Sequence, residues 1–185
     1  MRDRTMKVVA LVGSPRKNGN TDILVDNLLN GAGSEGCSVE KVYLYDMDIQ
    51  PCIDCRNCKK GNFECATEDD MQTLYPKLTE AEVLVFGTPL YWYGPTAQMK
   101  LFIDRLRPFA ASKKLKGKKA VLVVPSQEGK EACKHLVNMF KLSLEYLGVQ
   151  LANTLLVKAY EKGEVREQPS ILKNAFTIGR SLVQS

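Results

Sequence analysis

Short runs of apolar, β-branched residues alternate along the chain with longer stretches in which apolar residues recur every three or four positions. Met6–Val12 (MKVVALV) reads as a buried strand running into the turn Gly13-Ser14-Pro15. Thr21–Gly33 places Ile23, Leu24, Leu28 and Leu29 at helical spacing, with Val25 beside them and Gly31 and Gly33 at its close. Further strands are predicted over Val39–Leu44, Ala81–Phe86, Ala120–Val124 and Leu151–Val157. Further helices are predicted over Asp69–Thr79, with acidic residues where the helix dipole favours them, and over Thr96–Leu106, ended by Pro108. Glu131–Leu147 collects Cys133, Leu136, Val137, Phe140, Leu144 and Leu147 on one side, and Pro169–Val183 closes the chain. Asp46–Glu68 has no apolar period and reads as a long functional loop.

The pattern is therefore five strands alternating with five helices in one domain over residues 1–185, with a cysteine-rich loop at 46–68. Strands that are apolar almost throughout belong in a parallel sheet covered on both faces. Right-handed crossovers make that sheet doubly wound. Ligands of such sheets bind beyond the carboxyl ends of the strands. Here the loops after the first, third and fourth strands carry the unusual chemistry.

At 44% hydrophobic and 25% charged residues, the chain is neither disordered nor fibrous nor a coiled coil. A chain of 185 residues buries roughly 70% of its unfolded surface and needs no disulfides. No apolar run approaches the ~18 residues of a membrane helix. The charged start Met1-Arg2-Asp3-Arg4-Thr5 leads into too short an apolar run for a signal peptide, so a cytoplasmic location is expected. The net charge of +5 comes largely from lysines crowded between Lys113 and Lys119. That run has no interleaved aromatics, so it reads as a solvated loop and not as a nucleic-acid surface.

The first loop offers Ser14, Arg16, Asn18, Gly19, Asn20 and Thr21 between a strand and a helix N-terminus. Exposed backbone amides, the helix dipole and hydroxyl or amide side chains make a ready anion site. It is neither G-x-G-x-x-G nor a P-loop, so a single terminal phosphate fits best. The plainer alternative is a strand-to-helix turn capped by Thr21. The second loop, Gly87-Thr88-Pro89-Leu90-Tyr91-Trp92-Tyr93-Gly94-Pro95-Thr96, sets three aromatics side by side at a strand's carboxyl end. A flat conjugated ring would explain them; capping the core is the alternative.

Four of the six cysteines fall within Cys52-Ile53-Asp54-Cys55-Arg56-Asn57-Cys58 and Cys65. In a reducing compartment, clustered cysteines point to metal or redox chemistry. Three thiolates in a C-x-x-C-x-x-C turn, with a fourth nearby, suit a 4Fe–4S cluster better than zinc, which prefers separated pairs or histidine. Arg56, Lys59 and Lys60 would offset the charge of such a cluster. A redox-active disulfide, idle thiols and zinc remain open alternatives. The only histidine, His135, reads as a surface residue, and Cys37 and Cys133 as small core fillers.

Three segments, LVGSPRKNGNTDILV, GTPLYWYGPTAQMKLFIDR and VVPSQEG, each follow a predicted strand. With them the chain resembles the flavodoxin-like NADPH-dependent FMN reductase family. The cysteine segment resembles the compact motif of its iron–sulfur flavoprotein branch. The resemblance implies an α/β, flavodoxin-like, five-stranded parallel sheet in the order 2-1-3-4-5. It implies FMN with its phosphate on Ser14, Arg16, Asn18, Gly19, Asn20 and Thr21. Pro89, Leu90, Tyr91, Trp92, Tyr93 and Gly94 would line the ring and ribityl chain, and Ser126, Gln127 and Gly129 a third wall. It further implies a 4Fe–4S cluster on Cys52, Cys55, Cys58 and Cys65, and NAD(P)H or a ferredoxin as electron donor. A homodimer or homotetramer is expected, with the cysteine loop at the interface. No acid–base pair is visible, and flavin chemistry needs none. The alternatives are a cluster-free NAD(P)H-dependent FMN or quinone reductase and a flavodoxin-type electron carrier. The positive net charge argues against the carrier.

Overall fold

The architecture was established from a computed structural model that describes residues 5–182. The charged start at Met1–Arg4 and the last residue expected of the closing helix, Val183, lie outside them. The five strands are β1 Lys7–Val12, β2 Ser38–Tyr43, β3 Val83–Gly87, β4 Lys119–Ser126 and β5 Gln150–Lys158. They form one parallel sheet in the order β2-β1-β3-β4-β5. This is the flavodoxin-like α/β sheet that was expected.

Alternation along the strands explains why both faces are covered. On one face Val8, Ala10 and Val12 pack against α1 (Asn20–Ser34) and α6 (Pro169–Ser181). On the other, Val9 and Leu11 meet α2 (Met71–Glu80), α3 (Ala97–Asp104), α4 (Arg107–Ser112) and α5 (Lys134–Leu147). Helices α1 and α6 cross at glycines: a Cβ on Gly31 would come within 2.0 Å of the Phe176 carbonyl oxygen. Only a missing side chain lets the two backbones approach so closely. Cys133 is fully buried in the core beneath α5, Cys37 is half-buried against the core on the opposite face of the sheet, and His135 is exposed, as expected.

Three local expectations change. The helix expected over Thr96–Leu106 is α3, which ends at Asp104, and a further short helix, α4, follows it with Pro108 in its first turn instead of at the end of the helix before it. Proline lacks the N–H that a first turn leaves unused, so it starts a helix as readily as it stops one. Strand β4 runs on through Pro125 to Ser126, beyond the point where β3 stops pairing with it at Val123. A proline is tolerated there because no β3 carbonyl awaits its missing N–H. Of the lysine run, Lys113, Lys114 and Lys116 are exposed, but Lys118 turns in to donate to the Thr79 carbonyl at 2.8 Å and Lys119 opens β4.

Candidate functional site

A cleft of about 160 Å³ opens at the carboxyl end of the sheet. Ser14, Arg16, Asn20 and Thr21 line it from the loop after β1, and Pro89, Leu90 and Tyr91 from the loop after β3. Ser126 and Gln127 line it from the end of β4. Parallel strands bring these distant segments together because all their carboxyl ends point the same way.

The β1–α1 turn leaves the start of α1 without a side-chain cap. Gly19 is the N-cap of α1 in an extended conformation, and no side chain caps the helix. The expected alternative, a cap by Thr21, does not occur, so the first-turn amides stay open at the positive end of the dipole. A Cβ on Gly19 would stand 2.8 Å from the Arg16 carbonyl oxygen, which already accepts the Gly19 amide at 3.0 Å. Asn18 sits at φ 58°, and its amide donates to Asp22 Oδ2 at 2.7 Å. Asp22 is only 2% exposed, and it also accepts from Lys41 Nζ at 2.7 Å and Tyr43 Oη at 2.9 Å. Asn18 and Gly19 thus shape the turn without lining the cleft. The Asn20 side chain ties the helix start to the loop after β5, donating to the Glu161 carbonyl at 2.8 Å and accepting from the Val165 amide at 3.3 Å.

The aromatic loop is a tight hairpin. Tyr91 and Gly94 exchange both backbone hydrogen bonds at 2.9 Å. Trp92 and Tyr93 occupy its tip at φ 47° and 62°. That turn normally takes Asn-Gly, because bulky residues are strained in the left-handed region. Trp92 is 97% exposed. Trp92, Tyr93 and Gly94 stand outside the cleft, with Tyr91 at its edge. Thr96 joins the two loops: its hydroxyl donates to the Gly13 carbonyl at 2.5 Å and caps α3. On the third wall, Ser126 Oγ donates to the Gly129 carbonyl at 3.1 Å. Gly129, at φ 78°, shapes the turn without lining the cleft.

Tyr160 and Lys162, beyond β5, also line the cleft and escaped the sequence reading. Their only signal was position, since a fifth strand carboxyl end must open on the same side.

The cysteine loop lies apart, against α3 and α4. Cys52, Cys55, Cys58 and Cys65 all line one cavity, with Arg105 beside them. Cys52 and Cys55 are exposed, Cys65 half-buried and Cys58 buried. Among the described residues, no three His, Cys, Asp or Glu side chains converge closely enough to grip a single ion. Asp54 and Arg56, on either side of Cys55, have φ values of 51° and 65°, so the backbone reverses around that thiol.

The profile of the NADPH-dependent FMN reductases matches residues 6–158. The chain belongs to that family. An iron–sulfur flavoprotein from Methanocaldococcus jannaschii is 39% identical over 126 residues, covering 67% of this chain and 65% of that relative. An iron–sulfur flavoprotein from Archaeoglobus fulgidus is 40% identical over 114 residues, covering 61% of this chain and 51% of that relative. The matches thus span between half and two thirds of these relatives' lengths. Among solved structures, an NAD(P)H:quinone oxidoreductase from Methanothermobacter marburgensis superposes with a TM-score of 0.75 at 19% identity. That superposition covers 97% of this chain and 100% of the other, and shows a shared fold. No helix among the described residues of this FMN reductase family member is long and apolar enough to cross a membrane.

Electrostatics separate the family member's two sites. Burial pushes the Asp22 carboxyl up, but Lys41, the Asn18 amide and Tyr43 outweigh it and hold the group ionised below its ordinary value. In the cysteine loop, burial pushes the Cys58 thiol up. Burial also opposes the Cys65 thiolate, yet the Thr67 amide and Arg105 outweigh it and bring that thiol below its ordinary value. Arg107 pairs with Asp54 at 2.8 Å, adding a second cation beside the thiols.

Proposed function

We propose that this protein is an FMN-dependent oxidoreductase that takes electrons from NAD(P)H and holds a 4Fe–4S cluster on Cys52, Cys55, Cys58 and Cys65. The observation that carries the flavin reading is the uncapped start of α1 facing an aromatic loop across one cleft. The α1 amides, Ser14 and Thr21 suit a terminal phosphate, with Arg16 and Lys162 supplying positive charge. Pro89, Leu90 and Tyr91 offer an apolar edge for a flat ring. Bound FMN supplies the hydride-accepting ring, and a bound cluster supplies a one-electron centre that links it to carriers such as a ferredoxin. The protein's task is to orient the ring and exclude competing chemistry.

Four cysteines around a shared cavity, with an unpaired buried guanidinium N–H beside it, fit a polynuclear anionic group. A groove of about 820 Å³ beside Cys52, with Leu142 and Tyr146 exposed along it, supports assembly as a homodimer or homotetramer.

Anaerobic purification and mixing with NADPH or NADH tests the reading. The expected outcome is a yellow protein whose flavin bands bleach promptly. Flavin that neither nucleotide reduces would make it a flavodoxin-type carrier. Iron and sulfide both absent after reconstitution would make it a cluster-free reductase.

A further inference from the structure

Arg105 lies at the break between α3 and α4, is 1% exposed, and contributes to the cavity lined by the four cysteines. An arginine has five N–H donors in a fixed fork. Four of them are used. Nη1 donates to the Gln50 carbonyl at 2.7 Å and to Asp69 Oδ2. Nη2 donates to Asp69 Oδ1 at 3.0 Å and to the Thr67 carbonyl at 3.3 Å. The fifth, Nε–H, is buried without a partner, alone in this among the described side chains.

The two carbonyls it holds bracket the loop symmetrically. Gln50 is two residues before Cys52, and Thr67 two residues after Cys65. Asp69 reinforces the closure by accepting the Gln50 amide at 2.8 Å. Gln72 adds a bond to each of the Cys65 and Thr67 carbonyls, at 3.2 and 2.8 Å. Tyr75 Oη donates to the Arg105 carbonyl at 2.9 Å, which anchors the break.

A buried ion pair seldom stabilises a fold better than apolar residues of the same volume, so its retention calls for another role. We propose that Arg105 is the positioning residue of the cysteine loop. One guanidinium ties off both ends of the segment, so that Cys52 and Cys65 face one cavity before any metal arrives. Its remaining N–H is left to donate to a sulfur of the anionic group the cysteines take up. The last step rests on the cluster reading; the tie-off does not.

The test uses the FMN-loaded protein, first free of metal. Hydrogen exchange of residues 51–66 is compared between wild type and Arg105→Lys, which keeps the charge but loses the fork. Exchange at least about tenfold faster in the variant, with flavin content unchanged, is expected from losing hydrogen bonds to a charged group. Equal exchange overturns the tie-off. Should the variant not fold, the wild type decides by NMR. Slowly exchanging Arg105 Nη protons support the proposal, and freely exchanging ones overturn it.

After reconstitution with iron and sulfide, Arg105→Lys should bind iron roughly 10–100-fold more weakly. Its cluster should have a more negative reduction potential, because a donor to sulfur is lost. An unchanged potential overturns the role of Nε–H. A wild type that takes up neither iron nor sulfide sinks the cluster reading, while the exchange measurement still decides the tie-off.

Discussion

The cleft at the carboxyl end of the sheet and the cysteine loop are built by opposite means. The cleft is made of backbone: strand ends that the sheet aligns, an uncapped helix start and a glycine with no room for a side chain. The cysteine loop has almost no regular backbone structure beyond one short turn at Asn57–Lys59. A buried guanidinium and carboxylate hold its two ends instead. Topology thus imposes the first site, whereas the second depends on two side chains. Substitutions at one should leave the other largely intact, because their supports are separate.

The largest break in that symmetry is expected at Asp69. Asp69→Ala leaves Arg105 buried and unpaired, which costs about 3–5 kcal/mol. Urea unfolding should show that loss, and any folded fraction should keep its FMN affinity. An FMN affinity that falls in parallel would mean the two sites share one support.

Asp22 is the counterpart under the β1–α1 turn. Asp22→Asn loses charge-assisted bonds to Lys41 and the Asn18 amide, roughly 1.5–3 kcal/mol. Burial raises the Asp22 and Asp69 carboxyls, but their partners outweigh it and depress both. Their stabilisation is therefore complete above the unfolded value of 3.8 and is lost as pH falls through the lower folded values. Unfolding measured at neutral pH and below pH 3.8 should show wild type losing more stability than Asp22→Asn. Equal losses would remove Asp22 from the account.

Gly19→Ala tests the cleft alone. The new Cβ must displace the Arg16 carbonyl, at about 1–3 kcal/mol. FMN affinity, read by quenching of flavin fluorescence, should drop while iron content stays constant. The smallest effect is expected at the hairpin tip. Replacing Trp92 and Tyr93 by Asn and Gly relieves left-handed strain, and thermal unfolding should show a gain of about 1 kcal/mol. If the strained aromatics serve the flavin, its affinity should fall at the same time.

Much of the cleft was legible because its signals are local. Ser14, Arg16 and Thr21 follow an apolar run directly, and Pro89, Leu90 and Tyr91 follow another, so reading the strands located the loops. Tyr160 and Lys162 were not legible, because nothing in their own segment marks them until β5 is placed beside β4. The division of labour inside the turn was hidden as well. Asn18 and Gly19 read as phosphate-site residues in a row of polar ones, and only the fold shows that Asn18 takes a positive φ and that Gly19 has no room for a side chain.

The cysteine spacing marked the loop out, but the charged clamp beneath it was invisible. Arg105 reads as the last polar residue of an amphipathic helix, and Asp69 as a helix-start carboxylate. They lie thirty-six positions apart and meet only because the break between α3 and α4 turns the arginine inward.

By itself, then, the order of apolar runs determined the parallel sheet, the end at which a ligand must sit and the loops that reach it. Hydrophobic periodicity and chain direction are local properties that the sheet merely adds together. Tertiary structure alone decided which polar side chains line the cleft and which support the turn behind it. That choice depends on hydrogen bonds between residues far apart in the chain, made strong and costly to leave unmade by burial.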